Sequence, residues 1–178
     1  MDVAICWNPN PKGMATSRQP SLTERLRQVM HTKDAGTVGE LAVILQLKQA
    51  GYTVFTEVGD NSSIDLIVIG TGLLLRGQVK SCRRVNGSAT LPLRKAGPNG
   101  YLRKYIDDVD AIDFFALYVH DTGQIAYISA KEAFESCPGS TRLTFRVEPA
   151  KNKQERGVRY LKDYADFEGV LRDYEQRT

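Results

Sequence analysis

The sequence is poor in the residues that build disulfide scaffolds and metal–sulfur sites. Among its 178 residues are only three cysteines and two histidines. The cysteines, Cys6, Cys82 and Cys137, leave one over if two were paired, and none has the CxxC or Cys/His spacing of a zinc site. Neither a disulfide framework nor a structural zinc site is indicated, and a reducing cytoplasm is the expected location.

Long apolar runs, signal segments and repeats are also missing. No apolar run reaches the roughly 18 residues that a membrane-spanning helix needs, and the first residues show no basic-then-apolar pattern. We therefore expect no membrane partner. The expected organisation is an irregular arm over residues 1–20, rich in Pro, Asn, Gly and Ser, followed by a single domain over residues 21–178.

A strong excess of one charge is absent as well, since the net charge is only +3. The distribution of charge along the chain is more informative than this total. Residues 76–104 contain eight basic residues and no acidic one, whereas a run of acids follows at Asp107, Asp108, Asp110 and Asp113. Local asymmetry of this kind favours a polyanionic partner.

The pattern of apolar and capping residues predicts two helices in the first third of the chain. Ser21 and Glu24 have capping-box spacing and open a short helix that ends near His31, before the breaker KDAG. Thr37 then caps a second helix that ends at Gly51. Its expected apolar stripe consists of Leu41, Ile44, Leu45 and Leu47.

The rest of the chain predicts a sheet with further short helices. The stretch YTVFTEV reads as a strand, and two strands over residues 64–69 and 73–80 are joined by Gly70-Thr71-Gly72. Residues 81–104 lack periodicity and read as a long basic loop. Later segments predict strands at DFFALYVH, QIAYIS and RLTFRV, a helix at AKEAFES capped by Ser129, and a terminal amphipathic helix at DYADFEGVLRDYEQ.

Polar residues at the ends of the central hairpin are its most unusual feature. If Gly70-Thr71-Gly72 closes an antiparallel hairpin, Asp65 lies across from Gly77 or Gln78. Strand side chains alternate between faces, so Gln78 and Lys80 point the same way while Val79 points to the core. Asp65, Gln78 and Lys80 should therefore converge, and Glu40 can reach the same edge if its helix packs on the sheet.

Such a set has the chemistry of a phosphodiester-hydrolysing site. Two carboxylates, an amide oxygen and the backbone carbonyl of Val79 are hard oxygen ligands of the kind that Mg²⁺ accepts. The ammonium of Lys80 can pair with a phosphate oxygen or an attacking hydroxide. For Glu40 alone, a simpler role as the acidic member of a capping box is an alternative.

At these residues the sequence resembles the PD-(D/E)xK nuclease superfamily. The superfamily pattern is a helix-borne Glu, an Asp on a strand and Glu/Gln-x-Lys on the next strand, which correspond here to Glu40 in GTVGE, Asp65 in NSSIDLIV and Gln78-Val79-Lys80 in RGQVKS. The likeness is greatest to the branch of group I intron-encoded homing endonucleases, which uses QxK. It covers roughly residues 33–130.

The resemblance implies a fold, a cofactor and a reaction. The fold would be α/β, with a restriction-endonuclease-like core of a central mixed sheet flanked by helices. The reaction would be Mg²⁺-dependent cleavage of DNA, in which Mn²⁺ can substitute. The implied catalytic residues are Glu40, Asp65, Gln78 and Lys80, and the implied metal ligands are Asp65, Gln78, Val79 and Glu40.

DNA contacts are expected next to the site, where substrate must approach Lys80. The candidate residues are Arg83, Arg84, Arg94, Lys95, Arg103, Lys104 and Ser81. Cleavage at a long duplex site, as in homing, and at a branched junction, as in resolvases of the superfamily, are both compatible with the sequence. Each would require a homodimer or higher homo-oligomer, because two strands must be cut.

Two departures from the superfamily pattern keep an alternative open. Ile64 stands where the superfamily has proline before Asp65, and Gln78 removes one negative charge from the metal site. The second departure is compatible with a catalytically weakened DNA-binding module on the same fold. A protein–protein interaction domain is a third hypothesis, which predicts no salt-dependent binding of nucleic acid.

Overall fold

The fold is built around a hairpin with a very short turn. The structure is a computed structural model, and it describes residues 32–57, 62–96, 102–104, 112–149 and 157–175. Strand β2 (Leu66–Gly70) pairs antiparallel with β3 (Leu73–Cys82), and Gly70 lies opposite Leu73. The turn therefore consists of Thr71 and Gly72, whose φ angles of 49° and 82° are both positive. Two successive positive φ angles match the right-handed twist of the flanking strands.

The hairpin forms the centre of a five-stranded sheet with the order β1-β2-β3-β7-β8. The outer strands are β1 (Thr53–Thr56), β7 (Phe114–Val119) and β8 (Gln124–Ser129). β3 and β7 are parallel, and the other neighbours are antiparallel. The predicted α/β architecture with a central mixed sheet is confirmed.

Helix α1 (Thr32–Gln49) covers one face of this sheet. Val43 and Leu47 are buried together with Leu75 and Val79 of β3. The helix ends as predicted, with Gly51 at a positive φ of 90° just beyond it.

The predicted start of this helix is wrong, and its predicted apolar stripe is right at two of four positions. The KDAG segment is helical, and the Thr37 hydroxyl donates to the Lys33 carbonyl (3.2 Å) inside the helix rather than capping it. Leu47 is buried and Ile44 packs against the core as predicted, whereas Leu41 and Leu45 are 61% and 58% exposed. Packing of the other face against the sheet outweighs the low helix propensity of glycine in KDAG. The helix predicted over residues 21–31 lies outside the described residues.

The segment predicted to be a long basic loop contains strands. β4 (Ser88–Pro92) pairs with β9 (Arg142–Arg146), and β5 (Arg94–Ala96) pairs with β6 (Leu102–Lys104). The β4 segment buries Ala89, Leu91 and Leu93. Buried and partly exposed residues alternate along β4, but the pattern covers only a few residues and includes a proline, so the sequence gives a weak strand signal there.

Short helices complete the described part of the fold. α2 (Ala130–Glu135) is capped as predicted by Ser129, whose hydroxyl accepts from the amide of Glu132 (3.1 Å). The predicted terminal helix is divided into a 3₁₀ turn (Leu161–Tyr164) and α3 (Glu168–Glu175). Asp166 caps the second part, since its carboxylate accepts from the amide of Glu168 (2.9 Å). In the described ranges, no helix is both long and apolar enough to cross a membrane.

At Gly77 of β3, close packing leaves no room for a side chain. A Cβ atom added to Gly77 would lie 2.3 Å from Cζ of the fully buried Phe114. We expect Gly77→Ala to lower the free energy of unfolding by about 2–3 kcal/mol, because the ring cannot move without displacing the core. For a chain of this size the melting temperature should fall by about 5–10 °C. Gly36→Ala, with no atom within 4 Å of its Cβ, is the control and should not lower it; an unchanged melting temperature for Gly77→Ala would contradict the packing argument.

Candidate active site

The beginning of β2 and the second half of β3 bring three polar residues together. The amide of Asp65 donates to the Gly77 carbonyl (2.9 Å), so Asp65 is held directly beside β3. One oxygen of its carboxylate accepts from the amide of Val79 (2.6 Å) and from the side-chain amide of Gln78. The hairpin thus brings Asp65 and Gln78 together, as the sequence predicted.

Gln78 is a buried polar side chain with a defined set of partners. It is only 5% exposed, and burial of an amide is costly unless its hydrogen bonds are made. Its Nε2 donates to the Asp65 carboxylate and also to the Val79 carbonyl (3.2 Å). The NH₂ group therefore lies between a carboxylate oxygen and a carbonyl oxygen, a position that favours positive charge.

Lys80 and Ser81 point to opposite faces of β3. Alternation places Lys80 on the side of Gln78, whereas Val79 and Ser81 face α1. Val79 is 6% exposed in the core under α1, as predicted. The Ser81 hydroxyl donates to the Ala35 carbonyl of α1 (3.3 Å), so it joins helix to strand. Its predicted contact with DNA remains a prediction.

Glu40 and Asp65 line the same groove, whose volume is about 400 Å³. Helix α1 contributes to it one face, formed by Lys33, Gly36, Thr37 and Glu40. Glu40 is exposed and lies well inside α1, which begins at Thr32. A first-turn capping role for Glu40 is therefore wrong, and its position instead lets the carboxylate share an open groove with Asp65.

The opposite wall of the groove contains residues that sequence reasoning missed. Thr56, Glu57, Ser62 and Ile64 line it together with Asp65. The Ser62 hydroxyl donates to the Glu57 carboxylate (2.7 Å). The missed signal was register: Thr56 pairs with Leu66, so Glu57 just beyond β1 comes beside Asp65 just before β2.

The donor set of this site suits a hard divalent cation. Its oxygens come from the carboxylates of Asp65 and Glu40, the carbonyl of Val79 and the side-chain amide of Gln78. Within the described part of the chain, no three His, Cys, Asp or Glu side chains are grouped for metal binding. Mg²⁺ does not need such a group, because it binds through one or two carboxylates and keeps several waters.

The predicted DNA-contacting residues lie in two places. Arg83 and Arg84 are exposed just after β3, where the Arg84 amide donates to Asp121 (2.6 Å) and its guanidinium pairs with Glu148. The other four lie in the β5–β6 ribbon, whose register sets Arg94 opposite Lys104 and Lys95 opposite Arg103.

Two titratable groups beside this region are kept neutral by burial. Burial raises the pKa of the Cys82 thiol, and Asp121 acts in the same direction. Burial lowers the pKa of His120, and the nearby Arg83 cation lowers it further. A protonated thiol is a poor nucleophile, so burial makes Cys82 unreactive.

A second groove, of about 420 Å³, lies away from this site between β8, α2 and α3. Its main polar groups are already paired. The Tyr164 hydroxyl donates to Glu132 (2.6 Å), and the Ser129 hydroxyl donates to Asp173 (2.6 Å). Burial and the contact with Glu132 raise the pKa of Tyr164 to about 12. This groove therefore offers a cation few polar groups that are not already engaged with each other.

Comparisons with known proteins agree with this geometry. The sequence profile described as PD-(D/E)XK endonuclease matches residues 30–167, which include Glu40, Asp65, Gln78 and Lys80. The structure of a bacterial homing endonuclease, I-Ssp6803I, is similar with a TM-score of 0.64 and 20% identity, over 83% of this chain and 98% of that chain. No curated protein matches the chain. The match extends beyond residue 130, where the sequence resemblance ended.

Proposed function

The chain belongs to the PD-(D/E)XK endonuclease family, and from this premise we propose that it hydrolyses DNA phosphodiester bonds with Mg²⁺ as cofactor. The observation that carries the proposal is the Gln78 amide held between the Asp65 carboxylate and the Val79 carbonyl. That buried cluster gathers oxygens at the one place where the family pattern requires a cation. Mn²⁺ has similar ligand preferences and should substitute.

Each residue has a distinct role in this proposal. Asp65 and the Val79 carbonyl would hold the cation, and the Gln78 amide oxygen would join them if the amide group turns so that its oxygen replaces Nε2 between them. Glu40 would complete the ligand set or orient water. When bound, the cation supplies Lewis-acid polarisation of the scissile phosphate. Lys80, on the Gln78 side of β3, stabilises negative charge on the attacking or phosphate oxygens.

The substrate class follows from the family and from the charge distribution. The register of the β5–β6 ribbon brings four basic residues of the chain to paired backbone positions, and a concentration of basic residues favours a phosphate backbone as partner. In the sequence, Arg83 and Arg84 follow the site residues of β3 and precede the β5–β6 ribbon. A duplex has two strands to cut, so a homodimer or higher homo-oligomer is part of the proposal.

The proposed location is the cytoplasm. Among the described residues, Cys82 and Cys137 are free thiols. Free thiols are the usual state of cysteine in a reducing compartment, where a nuclease also meets chromosomal or plasmid DNA.

A DNA-binding module without cleavage is the second candidate, and one observation favours it. The Asp65 carboxylate is already neutralised in part by hydrogen bonds from Gln78 and Val79, so the site is satisfied without a cation. A glutamate at position 78 would instead repel Asp65 and demand one. The two candidates therefore differ in whether bound DNA is cleaved when a divalent metal ion is present.

A plasmid assay tests the proposed function. Purified protein is incubated with supercoiled plasmid in Mg²⁺, Mn²⁺ or EDTA, and nicked and linear products are measured. We expect nicking in both metals and none in EDTA, because the oxygen cluster requires a cation to bind and polarise phosphate. Binding shifts that are insensitive to EDTA, without any nicks, would favour the module; cleavage in EDTA would contradict the metal assignment.

A further inference from the structure

At Gly39, α1 lies close against the sheet. A Cβ atom added there would lie 3.0 Å from Cβ of Ser81 and 3.5 Å from Cβ of Tyr118. The first of these distances is shorter than side chains normally tolerate. One turn earlier, the Ala35 carbonyl accepts a hydrogen bond from the Ser81 hydroxyl (3.3 Å). A single strand residue, Ser81, thus contacts two successive turns of α1.

This contact is next to Glu40, one of the proposed site residues. Ala35, Gly39 and Val43 follow each other at four-residue spacing on the face that packs against the sheet. Glu40 is the next residue after Gly39 and belongs to the neighbouring face, which lines the groove shared with Asp65. Any displacement of the helix at Gly39 must therefore move the backbone that carries the Glu40 carboxylate.

The position of that carboxylate matters because Mg²⁺ demands near-ideal octahedral geometry with oxygen distances of about 2.0–2.1 Å. A misplacement of about 1 Å in an active site can cost about 10²-fold in rate. A helix displaced by a few tenths of an ångström at Gly39 would move Glu40 by a similar amount.

We propose that Gly39 and Ser81 form a clamp between α1 and β3 that sets the position of Glu40 over Asp65. Gly39 is then a positioning residue that acts through Glu40. This inference rests on the proposed function. It explains why glycine occupies a helix interior, where alanine would be more favourable by about 1 kcal/mol.

Gly39→Ala tests the clamp because its effects on stability and on catalysis should separate. The gain in helix propensity offsets the crowding against Ser81, so the melting temperature should stay within a few degrees of the wild-type value. The added Cβ should nevertheless displace Glu40. We expect kcat for plasmid cleavage to fall by about 5–10-fold with little change in KM for DNA.

A matched control and a double-mutant cycle isolate the cause. Gly169→Ala makes the same change in α3, where a terminal nitrogen of the Arg172 side chain is the one atom found within 4 Å of the added Cβ. This variant should leave kcat unchanged. Gly39→Ala should cost little in a Ser81→Gly background, where the 3.0 Å contact is removed. It should also cost little in a Glu40→Gln background, because both changes act through the same carboxylate.

The outcomes distinguish the clamp from the proposed function. If the wild type cleaves and Gly39→Ala cleaves equally fast, or if its loss persists in the Ser81→Gly background, the clamp is overturned and the nuclease assignment stands. If the wild type does not cleave, Mn²⁺ affinity measured by calorimetry decides: weaker binding by Gly39→Ala supports the clamp. Equal Mn²⁺ affinity in both proteins, or no binding by either, overturns it.

Discussion

Replacement of Asp65 by alanine is expected to abolish DNA cleavage, with a fall of about 10³-fold or more in the single-turnover rate. The carboxylate contacts both Gln78 and the β3 backbone, through the Val79 amide. Without it, the proposed ligand set keeps a carboxylate only at Glu40 and holds a cation less tightly against the phosphate. The measurement is single-turnover cleavage at saturating Mg²⁺, and a rate within tenfold of the wild type would refute the assignment.

Asp65→Asn separates this chemical role from a structural one. Asparagine retains an oxygen that can accept from the Val79 amide, whereas alanine leaves that buried donor unpaired at a cost of about 1–3 kcal/mol. We expect Asp65→Asn to melt near the wild-type temperature and still to lose cleavage. Asp163→Asn, at an exposed acid of the 3₁₀ turn, is the matched control and should cleave normally.

Replacement of Lys80 by alanine should have an effect of similar size on cleavage while DNA binding largely persists. By strand alternation the ammonium is on the Gln78 side of β3, where it can stabilise charge that develops on phosphate oxygens. We expect the cleavage rate to fall by about 10³-fold and the dissociation constant for DNA to change by less than about tenfold. Cleavage assays and gel-shift titrations on the same preparation give both values.

The salt dependence of binding shows whether Lys80 contributes more than an ordinary phosphate contact. A lysine that only binds phosphate would lower the slope of log affinity against log salt by about 1 and leave cleavage of bound DNA intact. Lys80→Arg should remain impaired, because a planar guanidinium cannot replace a compact ammonium. Lys48→Ala, in the last turn of α1, is the control. Normal single-turnover cleavage by Lys80→Ala would sink the proposed role.

The hairpin and the residues at its end were predictable from sequence for a physical reason. Alternation along β2 and β3 and the short Gly70-Thr71-Gly72 connection fix the register to within one residue. Register alone then places Asp65 beside Gln78 and puts Lys80 on the same side. These are local rules, so they do not depend on knowing the rest of the fold.

The parts that were mispredicted depend on contacts distant in sequence. The helical state of KDAG and the exposure of Leu41 and Leu45 depend on which face of α1 meets the sheet. The strand at Ala89 and Leu91 exists because β9, more than 50 residues later, pairs with it. Glu57 was missed because its place in the groove requires the pairing of β1 with β2. None of these features has a local signal strong enough to override the propensities of the segment itself.

The two-residue turn at Thr71 and Gly72 has a consequence for how this protein can vary. From a rise of about 3.3 Å per residue, the turn lies roughly 20 Å from Asp65. Insertion of a single amino acid at this exposed tip that is not absorbed as a three-residue loop would shift the pairing of β2 on β3 by one step, and Asp65 would then lie opposite a different residue. Surface loops usually tolerate changes in length, but a change in this one reaches the contact between Asp65 and Gln78 at the far end of the hairpin.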